Sequence, residues 1–121
     1  MTSPTQKAGY KAEDEAESYL ISHGLTALER NVHFKTGELD LIMQDRDTLV
    51  FVEVRYRKNK RFGSPAETVT RSKQEKLIRS ALLYCQKNNI TSPWRIDVVA
   101  INDNPNSVAR EISWIPSAVT A

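Results

Sequence analysis

Asp40 and Glu53 stand inside two runs otherwise suited to burial, GELDLIM and TLVFVEV, and Arg55 follows Glu53 by two residues. A turn centred between Arg46 and Asp47 places Asp40 directly opposite Glu53 on antiparallel strands. Residues paired in this way share a face, with Cβ atoms roughly 4.5–5.5 Å apart. The same register sets Glu38 opposite Arg55 and Ile42 opposite Phe51. Two half-buried carboxylates at that spacing repel, so a shared proton, a neighbouring base or a divalent cation must offset them. An oxygen-only donor set with room for water suits Mg²⁺ or Mn²⁺. Arg55, on the same face as Glu53, could stabilise the charge of a phosphate held there. The acids also read as solvated edge residues, with Glu38–Arg55 and Asp40–Arg55 as ordinary cross-strand ion pairs. A one-residue slip would separate them altogether.

The elements that must position these residues follow from periodicity. Ala8, Ala12, Ala16, Tyr19 and Leu20 predict a helix from about Lys7 to His23, stopped by Gly24, after a loose tail at residues 1–6. Residues 25–34 are a weaker strand, followed by hairpin strands near 38–44 and 48–57. A polar loop spans 58–67, with Gly63 and Pro65 as breakers. Leu77, Ile78, Ala81, Leu82 and Cys85 mark a second helix over about 70–88. Ser72 and Glu75 have capping-box spacing there, and Thr70 is the rival cap. WRIDVVAI (94–101) is a strand, NDNPNS a turn, and EISWIP (111–116) a last strand. The order αβββαββ predicts one α/β or α+β domain over residues 7–121, a central mixed sheet flanked by helices.

A chain of 121 residues is enough for one domain and too short for two. The single cysteine, Cys85, excludes an intrachain disulfide and a cysteine-based zinc site, and it fits a reducing cytoplasm. No apolar run has the length of a membrane span, and MTSPTQKAGY lacks a signal-peptide core. The net charge of +2 conceals a segregation. Glu13, Asp14, Glu15 and Glu17 cluster early. Arg55, Arg57, Lys58, Lys60 and Arg61 cluster after the acid pair, followed by Arg71, Lys73, Lys76 and Arg79. A charge run is usually a solvated face. A basic segment leaving an acid site with Tyr56 and Phe62 among its residues is also suited to the backbone of a nucleic acid, in a sequence-independent and salt-sensitive way. No recognition-helix pattern is present, which favours shape or junction recognition over base reading.

An acid on one strand followed by E-x-K on the next is the pattern of the PD-(D/E)xK nuclease superfamily, which Asp40 and Glu53-Val54-Arg55 resemble. KAGYKAEDEAESYL, GELDLIMQDRDTLVFVEVRYR, VTRSKQEKL and RIDVVAI together resemble the uncharacterised YraN-type bacterial proteins, similar to archaeal Holliday-junction resolvases. The resemblance covers nearly the whole chain. It implies a restriction-endonuclease-like fold, Mg²⁺ or Mn²⁺ held by Glu13, Asp40 and Glu53, cleavage of phosphodiesters in branched DNA, and a possible homodimer. Glu13 corresponds to the glutamate after a G-x-x-A-E run, and Arg55 to the catalytic lysine. Arginine stays charged and cannot act as a base, although it can clamp a phosphate. Lys58 and Lys73 are amines that could stand in for it.

Lys73 and Gln74, at the start of the second helix, are similar to a glutamine-containing motif of related nucleases and equally read as a solvated helix start. Glu13 reads either as a site acid or as a partner of the helix macrodipole. Asp97 is a further polar residue near the site or a hydrogen-bonding residue of a sheet edge. His23 and His33 lack zinc or triad spacing and read as structural, and Trp94 and Trp114 as packing. Three functions follow: a metal-dependent endonuclease with Asp40, Glu53 and Arg55 as its catalytic residues; a non-catalytic nucleic-acid-binding module; or a structural adaptor whose basic loop meets an acidic protein.

Overall fold

The computed structural model describes residues 4–57, 69–103 and 110–119. Its elements are α1 (Pro4–Ser22), β1 (Thr26–Phe34), β2 (Gly37–Asp45), β3 (Thr48–Arg57), α2 (Arg71–Lys87), β4 (Trp94–Asn102) and β5 (Glu111–Val119). The order is the αβββαββ expected of a restriction-endonuclease-like domain. The five strands form one mixed sheet in the order β1-β2-β3-β4-β5. Neighbours are antiparallel except β3 and β4, which run parallel and are joined through α2. A parallel pair needs such a crossover, whereas the tight Arg46–Asp47 turn suffices for β2 and β3.

The near-continuous apolar runs of the three central strands are explained by cover on both faces. Ala12, Ala16 and Leu20 of α1, spaced by four residues, pack on Leu41, Met43, Val50, Val52, Val99 and Ile101. Leu77, Ala81 and Tyr84 of α2 pack on the opposite face, against Leu39, Ile42, Leu49, Phe51, Ile96 and Val98. Glu53 shares strand parity with Leu49 and Phe51 and so faces the α2 layer.

Both helices end as their sequences predict. Gly24, at φ 97°, closes α1: its amide donates to Ile21 O at 3.0 Å and that of Leu25 to Leu20 O at 3.1 Å. Asn89, at φ 51°, repeats the arrangement after α2. These are paired hydrogen bonds of the Schellman type. The start of α1 differs from expectation. It begins at Pro4, so residues 4–6 are helical rather than tail; proline suits a first helical position because its missing N–H has no intrahelical partner there. At α2 the cap is Thr70, whose hydroxyl accepts from Lys73 N at 3.2 Å, and not Ser72. β5 runs past Pro116 to Val119, beyond its expected end at 116, because Ser117 N donates to the Asp97 carboxylate at 2.8 Å and holds the strand on.

Candidate functional site

The hairpin register is the expected one, from Asp45↔Thr48 through Ile42↔Phe51 to Leu41↔Val52. The paired residues end there, one step before Asp40 and Glu53. Beyond that point a side chain takes over from the backbone ladder: Val54 N donates to Asp40 Oδ2 at 2.9 Å. The alternation of faces breaks at the same place. Leu39 and Ile42 both join the α2 core, whereas Leu41 and Met43 join the α1 core. On the other side of β2, Asn31 of β1 takes a left-handed φ of 55°, which asparagine tolerates better than most residues. The strands therefore fork at Asp40. The Glu38–Arg55 pairing expected from an unbroken ladder does not form; Glu38 instead pairs with His33 of β1, Oε1 lying 3.7 Å from Nε2.

Four elements bring charge to the fork. Glu53 on β3 is only 4% exposed, and its Oε2 has no hydrogen-bond partner. Lys73, in the first turn of α2, reaches this oxygen with Nζ at 3.7 Å, an ion-pair distance and too long for a hydrogen bond. Burial pushes the Glu53 carboxyl above its usual range, while Lys73 and then Arg55 pull it back. Asp40 on β2 is pushed up to about 7, chiefly by burial and then by the charge of Glu53, against the hydrogen bond from Val54. Glu13 on α1 is also raised, first by burial and then by Asp40. The charge of Asp40 thus acts on Glu13, that of Glu53 acts on Asp40, and Arg55 acts on Glu53 from the same strand.

Two adjacent buried carboxyls, one with an oxygen that accepts no hydrogen bond and meets the Lys73 ammonium at 3.7 Å, are incompletely compensated. Their donor set fits a small divalent cation, with Asp40 and Glu53 as the residues to hold it. The third expected ligand is differently engaged. Glu13 Oε1 lies 3.5 Å from Arg30 Nη2, and the Asn31 amide, oriented to donate, spans Glu13 Oε1 at 3.1 Å and Glu38 Oε1 at 2.8 Å. Among the described residues no three His, Cys, Asp or Glu side chains are gathered into a metal cage. The site is a pair of acids, with Glu13 held to one side.

The other expected site residues divide. Arg57 donates through Nε to Asn102 Oδ1 at 2.9 Å, at the end of the β3–β4 ladder. Gln74 donates through Nε2 to Val69 O at 2.9 Å and so braces the approach to α2. Lys58, Lys60 and Arg61 lie outside the described residues. Asp97 is fully buried and wholly satisfied, by Arg95 Nε at 3.0 Å, Trp114 Nε1 at 3.0 Å and Ser117 N, which makes it a structural anchor of β4 and β5. His23 bonds Tyr19 O at 2.8 Å at the end of α1. Trp94 packs edge-on against Phe51. Sequence reasoning missed Arg30 and Asn31. Nothing in ERNVHF marks them except the tolerance of asparagine for left-handed backbone.

Comparison with known proteins places similar chains in bacteria. The model of the uncharacterised protein family UPF0102 matches residues 12–101. A UPF0102 protein of Chromohalobacter salexigens is 44% identical over 117 residues, covering 97% of this chain and 94% of its own. One from Saccharophagus degradans is 49% identical over 94% of this chain and 93% of its own, and one from Aliivibrio salmonicida 50% identical over 86% and 84%. No described helix is long and apolar enough to cross a membrane.

Proposed function

The chain belongs to the uncharacterised protein family UPF0102, and on that premise we propose that it is a metal-dependent endonuclease acting on structured, branched DNA. The observation that carries this reading is the buried Glu53 Oε2, without a hydrogen-bond partner and beside an Asp40 carboxyl raised to about 7. A folded protein tolerates such a pair when a ligand supplies the missing charge. Asp40 and Glu53 would hold Mg²⁺ or Mn²⁺, with Glu13 of α1 as the nearby third acid. When bound, such an ion supplies Lewis acidity, easing loss of a proton from water and offsetting phosphate charge.

The residues of the chain supply the rest. The Val54 amide fixes the orientation of Asp40. Arg55, on the same face as Glu53, clamps a phosphate oxygen and stabilises the charge that develops on it, but stays protonated and takes no proton. Arg57, Lys58, Lys60 and Arg61 follow Arg55 in the chain and steer the backbone of the nucleic acid by charge alone.

A second reading, a nucleic-acid-binding module without cleavage, is favoured by one observation: among the described residues the acids are not gathered into a three-ligand cage. Purified protein incubated with branched, single-stranded and duplex DNA, with Mn²⁺ or with chelator, separates the two. Mn²⁺-dependent cleavage lost in Asp40→Asn and Glu53→Gln supports the enzyme. Binding without cleavage under any divalent ion, unchanged in those variants, supports the module.

A further inference from the structure

Lys73 and Arg71 occupy the first turn of α2, which carries no acid. This reverses the ordinary preference. The N-terminus of a helix carries partial positive charge, so acids there stabilise it and bases there do not. A local rule broken without compensation within the helix marks a position set by something else. Arg71 is exposed, but Lys73 turns inward, its side chain 37% exposed and its ammonium 3.7 Å from the orphaned Glu53 oxygen. The ammonium therefore lies between solvent and the acid pair. Any anion that approaches Glu53 from the α2 side meets Lys73 and the positive end of the helix together.

We infer that Lys73 is a catalytic residue of this site, donating from the first turn of α2 to a non-bridging oxygen of the phosphate that Arg55 grips from β3. The inference rests on the endonuclease reading and deepens it. Two cations on two different elements then bracket one phosphate, and the role asks of Lys73 a charge and a hydrogen bond, with no change of protonation. Its ammonium also competes with a divalent ion for Glu53, because both draw on the same oxygen.

That competition gives the test its direction. Lys73→Gln, Lys73→Arg and a control at the far end of α2, Lys87→Gln, are compared as full-length proteins matched by thermal midpoint. Mn²⁺ affinity is read by titration calorimetry, and single-turnover cleavage with the branched DNA that the wild type cuts. Lys73→Gln is expected to cleave at least about tenfold more slowly while binding Mn²⁺ as tightly as the wild type or more tightly. Lys73→Arg should recover part of the rate, and Lys87→Gln should match the wild type. Cleavage by Lys73→Gln at the wild-type rate overturns the inference. So does a parallel loss of cleavage and Mn²⁺ affinity, which is the mark of a merely structural side chain. A wild type that binds Mn²⁺ but cuts no DNA overturns the endonuclease reading itself, and this inference with it.

Discussion

Val54 N donates to Asp40 Oδ2 at 2.9 Å where the paired residues of β2 and β3 end. One carboxylate oxygen thus substitutes for a missing backbone acceptor, and Asp40 is held beside Glu53 at the mouth of the fork. The bond favours the ionised form, but burial and the charge of Glu53 outweigh it.

Without divalent ions, stability should fall as pH rises through the Asp40 titration. Its carboxyl titrates at about 7 in the folded protein, against roughly 3.9 unfolded. Between those values the folded state holds a proton that the unfolded state has released, so rising pH favours unfolding. Asp40→Asn removes this contribution. In chelator at pH 8 it should melt at least about 3 °C above the wild type, and the difference should vanish near pH 4. A wild-type midpoint that climbs from pH 4 to 7 in parallel with that of Asp40→Asn would refute the assignment.

Mn²⁺ should reverse that loss. At a hundredfold excess over its dissociation constant, an ion that binds only the folded protein adds about 2.7 kcal/mol. The gain should be larger at pH 8 than at pH 5.5, where protons compete for Asp40 and Glu53. Glu53→Gln should abolish it. A thermal midpoint that Mn²⁺ leaves unmoved at pH 8 would remove the metal from the proposal.

Much of this site was legible in the sequence, because a tight turn between two apolar runs fixes register. Pairing across Arg46–Asp47 put Asp40 opposite Glu53, and the observed Leu41↔Val52 pair lies on that same register. What the pattern left out was the fork. Alternation assumes an unbroken ladder, so it paired Glu38 with Arg55, whereas Asn31 and Asp40 depart from the ladder and turn Glu38 toward β1. The reach of Lys73 was equally invisible, since it depends on how α2 lies across the sheet. The Ser72–Glu75 spacing satisfied the capping-box rule, yet Thr70 caps the helix; the rule gives spacing and not where the chain enters the helix.

Asp97 offers a structural control. Asp97→Ala strips a fully buried acid from Arg95, Trp114 and Ser117 and should cost about 3 kcal/mol, because three donors lose their acceptor and Arg95 keeps only Asp45. Denaturant unfolding measures this. Variants that remain folded should bind Mn²⁺ like the wild type; a selective loss of Mn²⁺ affinity would show that Asp97 belongs to the site.

Thr70→Ala should destabilise the protein by about 1 kcal/mol by leaving the Lys73 amide without its cap. Urea unfolding reads the loss. Ser72→Ala should leave the midpoint nearly unchanged, and the reverse ranking would restore Ser72 as the cap.

The fork gives the protein an internal reporter. Elsewhere between β2 and β3 an amide proton is shielded by another strand, and its exchange with solvent tracks opening of the sheet. The Val54 amide is shielded by one ionisable side chain. Its exchange rate is set by the occupancy and protonation of a single carboxylate, so a spectroscopist watching that one proton observes the site filling and emptying while the rest of the sheet stays shut.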